Sequence, residues 1–429
     1  MTADRFDIAV IGAGPAGLEA ARVAVEAGAR VALIDDNPRP GGQIWRQGPN
    51  AAPSASLRDW LRATGPSTNL DVMNATKVAA ALDDKHLLLE RDGAPALIAY
   101  SKLLLATGAR ERVLPFEGWT LPGVTGAGGL QALVKGGMPV RGERIVVAGS
   151  GPLLLAVADT AQRHGADVRA VIEQAPLARV ASFVASLSAT PSKLAQAVSL
   201  ARAVGVSRYR AGSVVVKAHG AGRMEAVTVR TRSGDKTIEA DRVACGYGLV
   251  PNATLALALG CVIDGNGAIS VDEHQRTSLP DVFAAGECTG IGGMELARVE
   301  GACAALAALG APVDARLVQQ RSRWRAFAAR VDRAFALGPA ARALPPASTT
   351  MCRCEDVSIG EVAAHANWRD AKLLTRCGMG PCQGRICGEA AALYFGWPRV
   401  VAREPFAPVR IETLLAACDA TGEVQSSGR

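Results

Sequence analysis

The segment Phe6–Gly42 constrains the fold of this chain more than any other feature of its sequence. An apolar run, FDIAVI, is followed at once by the turn GAGPAG, a helical stretch and a second apolar run that ends at Asp35. In a parallel α/β sheet, such a strand, turn and helix present backbone N–H groups to the phosphates of a dinucleotide. Strand, turn, helix and acid together predict a dinucleotide-binding site, which glycines alone would not.

The glycines and acids of this segment have separate expected roles. Gly12 permits the tight turn, Gly14 lets the backbone approach a pyrophosphate, and Gly17 lets the helix pack close to the strand. A carboxylate at Asp35 can bind ribose hydroxyls, with Asp36 as the alternative. The glycine turn that follows, GGQIW, is expected to lie along the same ligand.

The opening pattern recurs from Arg144 as a strand, the turn GSGP, a helix and a strand that ends at Glu173. In this copy Leu154 holds the position of the third glycine and Pro152 stiffens the turn. A leucine there pushes the helix off the strand and narrows the space for a pyrophosphate. We predict a second Rossmann fold with poor use of nicotinamide nucleotides. Whether it holds an adenine nucleotide such as ATP or NAD stays open, and Glu173 would disfavour a 2′-phosphate.

Length and composition indicate an ordinary multidomain enzyme. A chain of 429 residues suggests two or three domains. No apolar run reaches the about 18 residues of a membrane helix, and the first strand starts too early for a signal peptide, so the chain is expected in the cytoplasm. Peripheral attachment to the inner membrane through partners stays open.

The net charge of +7 raises the alternative of a nucleic-acid partner. The most basic segment, 316–333, interleaves its arginines with apolar residues, including Trp324, Phe327 and Val331. This pattern is typical of an amphipathic helix with a basic outer face. We therefore expect no nucleic-acid binding. A further stretch, 114–142, is rich in proline and glycine and is interpreted as a crossing between domains.

Ten cysteines in a cytoplasmic chain favour metal or redox chemistry over disulfides. Their distribution is uneven. Four are scattered and are expected to fill small spaces in the core, and Cys418 stands alone near the end. The remaining five lie within 352–387, after the linker 344–350. They are Cys352, Cys354, Cys377, Cys382 and Cys387.

Two thiolate pairs on two loops would form a four-sulfur cage of the kind that holds an iron–sulfur cluster or zinc. Glycines 378, 380 and 384 would free backbone N–H groups for the sulfurs, and Arg353 and Arg385 would offset the negative charge. The alternatives are a zinc site and cysteines that only pack a small helical cap. Geometry alone does not exclude Cys377 as a ligand.

Six motifs in order resemble the flavoprotein reductases with two dinucleotide-binding domains: GAGPAG, GGQ, LLLATGA, GSGP, GLVPN and VFAAGE. The resemblance implies an α/β fold with two Rossmann-like domains and FAD in the first, with Glu287 on the ribityl chain. No Cys-x-x-Cys precedes Cys352, so disulfide chemistry of the thioredoxin reductase type is not expected. The implied FAD-binding residues are Gly12, Gly14, Pro15, Ala16, Gly17, Asp35, Asp36, Gly42, Gln43, Ala106, Thr107, Gly108, Gly286 and Glu287.

The motifs CRCEDV and GMGPCQGRIC resemble the bacterioferritin-associated-ferredoxin type of [2Fe-2S] domain. In the fused flavoprotein relatives of that domain, the ligands are a CxC pair and a CxxxxC pair. The resemblance therefore implies a [2Fe-2S] cluster on Cys352, Cys354, Cys382 and Cys387. Cys377 is the one rival for a ligand position.

These two parts, with the closing segment REPFAPVRIETLL, resemble the alpha subunit of heteromeric bacterial amine and imino acid dehydrogenases. That family includes hydroxyproline dehydrogenase, the opine oxidases and the cyanide-forming glycine dehydrogenase. It implies a flavin-containing beta subunit of the D-amino-acid-oxidase type that oxidises the substrate, a downstream electron acceptor and, in some complexes, a small ferredoxin-like gamma subunit. The sequence itself shows no acid and base motif for amine oxidation, so no catalytic residue is predicted.

We thus expect an electron-transfer subunit in which FAD and the cluster divide hydride equivalents into single electrons. Two alternatives are an NAD(P)H-dependent reductase that feeds the cluster and a scaffold whose cofactors are structural. The expected domains are an FAD-binding domain, a degenerate second Rossmann-like domain, a small helical [2Fe-2S] domain and an extended tail. Their expected limits are 1–117 with 266–340, 118–265, 345–400 and 401–429.

Overall fold

The computed structural model describes residues 3–46, 48, 52–65, 67–82, 85–398 and 404–417. They form two compact units. Unit 1 takes its described residues from 1–110, 250–328 and 401–429, and unit 2 takes its own from 111–249 and 329–400. Cys418, Arg403 and the rest of the predicted tail beyond 417 lie outside the described residues.

Strands and helices alternate through most of the chain, as expected for an α/β protein. The strands are β1 Asp4–Ile11, β2 Val31–Ile34, β3 Leu70–Met73, β4 Thr76–Leu82, β5 His86–Arg91, β6 Ala94–Leu105, β7 Ala109–Glu111, β8 Val124–Gly126, β9 Arg144–Gly149, β10 Asp167–Glu173, β11 Tyr209–Ala211, β12 Val214–His219, β13 Ala226–Thr231, β14 Gly234–Glu239, β15 Arg242–Gly246, β16 Leu249–Pro251, β17 Val282–Ala284, β18 Thr350–Cys352 and β19 Val357–Ser358. The helices are α1 Pro15–Glu26, α2 Ala55–Thr64, α3 Ala127–Lys135, α4 Leu153–Arg163, α5 Leu177–Ser186, α6 Pro191–Val204, α7 Thr254–Leu259, α8 Met294–Ala308, α9 Ala315–Phe335, α10 Pro339–Arg342, α11 Ile359–Ala363, α12 Trp368–Thr375 and α13 Cys387–Phe395. None of the helices in the described part of the chain is long and apolar enough to cross a membrane.

Unit 1 is built on a seven-stranded sheet with the order β3-β2-β1-β6-β5-β4, to which β17 adds beside β6. Strand β1 pairs in parallel with β2 and β6. Ile8 and Val10 belong to the core on one face, whereas Ala9 and Ile11 belong to the core on the other. Because both faces are covered, the strand is a continuous apolar run rather than an alternating one, which is why it is legible in the sequence.

Unit 2 contains a five-stranded parallel sheet with the order β11-β10-β9-β15-β8 and a three-stranded antiparallel sheet, β12-β13-β14. One difference from the sequence expectations occurs here. The passage 114–142 contains the edge strand β8 and helix α3, although its many glycines and prolines suggested only a crossing. Helices α5 and α6 are separate, because Pro191 starts a new helix after a 3₁₀ turn at Leu187–Ala189.

The cysteine-rich end of unit 2 is a small helical region with its own core. Strands β18 and β19 pair, and helices α11 to α13 pack around Trp368, Val362 and Met351. Helix α11 begins directly after Ser358, whose hydroxyl accepts the N–H of Glu361, while the Glu361 carboxylate accepts the N–H of Ser358. This reciprocal capping box satisfies two N–H groups at the helix start.

The described part of the predicted tail, 404–417, packs in unit 1 rather than extending into solvent. The carboxylate of Glu90 accepts the N–H of Arg410 at 2.6 Å and the hydroxyl of Thr413 at 3.0 Å. The N–H of Phe406 donates to the carbonyl of Ala79 at 3.0 Å. Residues 411–417 are helical.

Candidate cofactor sites

The first glycine turn of unit 1 is packed so closely that two of its glycines admit no side chain. A Cβ at Gly12 would lie 2.3 Å from the carbonyl oxygen of Ala106, and one at Gly17 would lie 1.8 Å from the carbonyl oxygen of Gly12. A Cβ at Gly14 would meet only the Cα of Gly42, at 4.0 Å. The protein therefore tolerates a side chain at Gly14, but that side chain would enter the cleft that a pyrophosphate needs. We call the turn Gly12–Gly17 with the open space at Gly14 the cradle, and its shape fits a dinucleotide.

Both predicted acids lie beside this turn. Asp35 is 7% exposed, and its Oδ2 accepts the N–H of Ala13 at 2.5 Å. Its Oδ1 accepts the N–H of Asn37 at 2.8 Å. The side-chain amide of Asn37 also donates to Asp36 at 2.9 Å. Asp35 is thus fixed at the glycine turn, whereas Asp36 is exposed at its edge.

Helix α1 brings Pro15 and Ala16 to the same place. Pro15 is the first residue of the helix, where its missing N–H costs nothing. A Cβ at Gly286 would lie 2.8 Å from the Cβ of Ala16, so the loop after β17 packs directly on the start of α1. The predicted residues Gly12, Gly14, Ala16, Gly17, Asp35, Gly42, Ala106 and Gly286 are thus in one neighbourhood.

The end of β6 is tied to the segment after β16, within unit 1. The hydroxyl of Thr107 donates to the carbonyl of Asn252 at 2.6 Å, and the N–H of Asn252 donates to the carbonyl of Gly108 at 2.9 Å. Glu287 follows Gly286 and is half-buried. Burial raises the pKa of Glu287, although the N–H of Gly293 opposes this shift.

The turn GGQIW contributes differently at its two ends. The N–H of Gly41 donates to the carbonyl of Ala13 at 2.7 Å, which places the turn against the glycine loop. Gln43 is exposed, but Trp45 is buried in the core of unit 1. The tryptophan therefore anchors the turn in the core of unit 1 and does not lie along a ligand.

Sequence reasoning missed a buried ionic network beneath the Gly286 loop. Glu300 is 3% exposed and accepts the N–H of Gly286 and the hydroxyl of Thr289, both at 3.2 Å. Its other oxygen accepts from Arg325 at 2.9 Å, which also bonds the side chain of Gln275 at 3.1 Å. The sequence did contain one indication, because Glu300 precedes a long alanine-rich stretch of α8 and a buried acid needs a partner.

The second glycine turn, in unit 2, is covered by the chain segment Phe335–Gly338. The side-chain amide of Gln174 donates to the carbonyls of Phe335 and Ala336 at 3.3 and 3.2 Å, and its oxygen accepts the N–H of Gly338 at 2.9 Å. The hydroxyl of Ser150, within the turn, donates to Phe335 at 2.8 Å. The Phe335 ring lies 4.0 Å from the position of a Cβ on Gly151.

The sequence attributed the reduced space at this turn to Leu154, but the structure gives a different reason. Leu154 is 1% exposed and belongs to the core of unit 2. The residues that approach the turn are Phe335 and Glu173, whose carboxylate accepts the N–H groups of Gly151 and Ala175, both at 2.8 Å. Burial raises the pKa of Glu173 to about 7, against the effect of these hydrogen bonds.

Five cysteines of unit 2 come together. The sulfurs of Cys352, Cys377 and Cys387 lie within 4.8 Å of one another, and that of Cys354 lies 3.9 Å from that of Cys382. The close packing depends on the loop between them, because a Cβ at residue 380, a glycine, would lie 2.2 Å from the Cβ of Cys354.

A cavity of about 260 Å³ adjoins these sulfurs. Cys352, Cys354, Cys382 and Cys387 line it, but Cys377 does not. The rest of the lining is mostly apolar and includes Phe116 and Trp119, together with the buried Cys245 of β15. The four cysteines that line this cavity are those of the predicted CxC and CxxxxC pairs, and four cysteine sulfurs are a donor set that suits a [2Fe-2S] cluster. The sulfurs of Cys352, Cys377 and Cys387 are also close enough together to hold a metal ion.

Backbone N–H groups surround these sulfurs. The N–H of Gly378 donates to Cys352 at 3.4 Å, and those of Ile386 and Gly384 donate to Cys382. The hydrogen bond from Cys387, together with these N–H groups, lowers the pKa of Cys382 to about 5. The pKa of Cys387 is raised, because its thiol donates to Cys377 and Cys382 and is buried. These hydrogen bonds thus favour the thiolate form of Cys382.

The comparisons with known proteins agree with this architecture. Residues 6–304 match the family described as pyridine nucleotide-disulphide oxidoreductase. The chain belongs to this family of oxidoreductases, as the flavoprotein motifs predicted. The crystal structure of L-proline dehydrogenase from P. horikoshii shares the fold, with a TM-score of 0.67, 20% identity, and coverage of 96% of this chain and 80% of that one.

Two curated relatives narrow the identification. An opine oxidase subunit from Rhizobium meliloti (strain 1021) is 36% identical over 427 residues, covering 89% of this chain and 90% of the relative. Hydrogen cyanide synthase subunit HcnB of Pseudomonas protegens is 32% identical over 427 residues, covering 88% and 89%. Within the oxidoreductase family, the chain thus belongs with these two subunits, which confirms the resemblance and the enzyme class.

Proposed function

We propose that this chain is the FAD- and [2Fe-2S]-containing electron-transfer subunit of a heteromeric dehydrogenase that oxidises an amino acid, an imino acid or an opine. Substrate oxidation would take place in a partner flavin subunit. The names of the relatives support a multisubunit enzyme, because both are designated as subunits. D-hydroxyproline, octopine, nopaline and glycine are the candidate substrates that the family resemblance suggests.

The observation that carries the proposal is the shared cavity of Cys352, Cys354, Cys382 and Cys387. Cysteines that only fill space have no reason to bring their sulfurs so close together around one cavity, and buried titratable groups are normally paired. Nor does a site this rich in N–H donors suit a purely apolar filling role, because such donors stabilise sulfur that carries negative charge. Cys354 is exposed, so the cavity reaches the surface of unit 2, where a redox partner can approach.

The FAD assignment rests on the cradle of unit 1. Gly14 leaves the cleft open, Asp35 lies at its ribose end, and Glu287 follows the loop that packs on α1. When bound, FAD would supply two-electron chemistry and the cluster one-electron chemistry. The residues of the chain bind and orient these groups, and no described side chain is assigned a proton-transfer step.

The covered second turn disfavours the NAD(P)H-dependent reductase. A nicotinamide nucleotide bound in the usual way would need its pyrophosphate at the Gly149–Gly151 turn. Phe335 and its hydrogen-bonded neighbours lie against that turn, and Glu173 occupies the N–H of Gly151. We infer that unit 2 retains the fold of a nucleotide domain without productive nicotinamide binding. An adenine nucleotide with no redox role stays compatible with the proposal.

The proposal is tested by separating the subunits. The isolated chain should carry both cofactors and should not oxidise D-hydroxyproline, octopine, nopaline or glycine. Joined to the flavin-containing partner subunit from its own host, it should support oxidation of one of them. Turnover by the isolated chain would contradict the division of labour.

The same complex distinguishes electron transfer from a scaffold role. Under anaerobic conditions, the substrate should produce the electron paramagnetic resonance signal of a reduced [2Fe-2S] centre. Steady turnover with a cluster that never becomes reduced would instead indicate structural cofactors. The matched control is substrate added to the isolated chain, which should give no signal.

A further inference from the structure

Cys377 is a fifth thiol at the cluster, and its environment differs from that of the other four. Its side chain is 0% exposed, and its sulfur lies within 4.8 Å of those of Cys352 and Cys387. The cavity is nevertheless lined by the other four cysteines and not by Cys377. Cys377 therefore lies against two of the proposed ligands but is not among the residues that line the cavity.

The chain holds Cys377 rigidly in this place. Helix α12 ends at Thr375, and Arg376 adopts a left-handed conformation with φ of 66° that turns the chain inward. The N–H of Cys377 donates to the hydroxyl of Thr375 at 3.2 Å. The next N–H, that of Gly378, donates to the sulfur of Cys352 at 3.4 Å. The thiol is thus fixed against its neighbours by backbone contacts on both sides.

We propose that Cys377 is a positioning residue that retains its S–H and donates a hydrogen bond to the sulfur of Cys352 or Cys387, thereby raising the reduction potential of the cluster. This inference rests on the proposed function. An iron-bound thiolate has no proton, so Cys352 and Cys387 can only accept, and Cys377 is the group positioned to donate. Hydrogen bonds to cluster sulfurs stabilise the more negative reduced state and are a main determinant of its potential.

The contacts of the other sulfurs support this role. Three of the proposed ligands accept hydrogen bonds from backbone N–H groups. The sulfur of Cys352 accepts from Gly378, and that of Cys354 accepts from Cys382. The sulfur of Cys382 accepts from Gly384 and Ile386. Cys387 begins helix α13, and its sulfur lies against those of Cys377 and Cys382. Cys377 would thus provide at Cys387 what backbone N–H groups provide at the other ligands.

The test compares Cys377→Ala and Cys377→Ser in the full chain. Cys303→Ala is the matched control, because Cys303 is equally buried but belongs to unit 1. The readout is the midpoint potential from a redox titration monitored by electron paramagnetic resonance. The alanine variant should keep its iron while its reduction equilibrium becomes up to tenfold less favourable, and tenfold is about 59 mV for one electron. Serine keeps a donor and should recover most of the shift, whereas Cys303→Ala should show none.

A second readout detects the hydrogen bond itself. In D₂O, the Fe–S stretching bands of the wild type should shift in the resonance Raman spectrum, and Cys377→Ala should lose part of that shift. An unchanged potential in Cys377→Ala would overturn the inference. So would loss of iron in both Cys377 variants, because Cys377 would then be a ligand. A wild-type chain without any cluster would contradict the proposed function itself, and this inference with it.

Discussion

The side-chain amide of Gln174 donates a hydrogen bond to the carbonyl oxygen of Phe335 at 3.3 Å, and this contact holds Phe335 over the second glycine turn. The ring of Phe335 is also fixed by an edge contact with Phe183, with 5.1 Å between centroids. The turn that would bind a nicotinamide nucleotide in a reductase is therefore covered by the chain itself. This contact is the reason to prefer the proposed electron-transfer role over an NAD(P)H-dependent reductase.

The first prediction follows from the covered turn. NADH and NADPH at millimolar concentration should reduce the bound flavin slowly or not at all, because their pyrophosphate has no access to the N–H groups of the turn. The measurement is anaerobic bleaching of the flavin absorbance in a stopped-flow instrument. Dithionite serves as the control, because it should bleach the flavin whatever binds to unit 2. Rapid bleaching by either nucleotide would favour the reductase.

A second prediction concerns the first turn. Gly14→Val should fold but lose FAD, because its side chain has room in the protein and enters the pyrophosphate cleft. The FAD content of the purified variant, by absorbance, is the measurement, and circular dichroism checks the fold. Gly265→Val is the matched control, since a Cβ there meets nothing within 4 Å. Full flavin content in a folded Gly14→Val variant would show that the cradle is wrongly assigned.

The third prediction concerns the four proposed ligands. Serine is a harder and poorer ligand for iron, so each single replacement of Cys352, Cys354, Cys382 or Cys387 should abolish or severely distort the signal of the reduced [2Fe-2S] centre. Electron paramagnetic resonance and iron content are the measurements. Cys245→Ala is a stringent control, because Cys245 lines the same cavity but is not one of the proposed ligands, so the cluster should not need it. Loss of iron in that control would require a different ligand set.

A fourth prediction concerns the pH dependence of stability. Burial raises the pKa of Glu173 from 4.5 to about 7. Between these values the folded chain binds more protons than the unfolded chain, so the contribution of Glu173 to the free energy of unfolding falls as pH rises through this window. The full effect is on the order of 3 kcal/mol. Relative to the wild type, the free energy of unfolding of Glu173→Gln should therefore lack this fall between pH 4.5 and 7.

Urea unfolding between pH 4.5 and 8 measures this difference. The exposed carboxyl of Glu412 offers the control, and Glu412→Gln should follow the wild type across the same range. Other buried acids contribute equally to all three proteins and cancel in the comparison. Parallel curves for Glu173→Gln and the wild type would mean that Glu173 is ionised in the fold throughout this range.

The sites that could be predicted from the sequence are those formed by residues that lie close together along the chain. The turn at Gly12–Gly17, the acid that follows it and the two cysteine pairs are local patterns, and their chemistry requires particular residue types at fixed spacing. The alternation of strands and helices was likewise legible, because strands buried on both faces are continuous apolar runs. These features determined the fold class and the family.

Tertiary structure decided what depends on distant segments. Glu300 and Arg325 form an ion pair from different helices, and no local sequence pattern predicts a partner 25 positions away. Phe335 lies against the turn at Gly151 and is hydrogen-bonded to Gln174, whereas the sequence offered Leu154 and Pro152 as the reasons for poor nucleotide binding. The spacing of five cysteines left Cys377 open as a ligand. In the folded chain four of these cysteines line one cavity and Cys377 packs against two of them, which favours the four as ligands. The sequence alone could not give this arrangement, because it depends on packing among segments that are far apart in sequence.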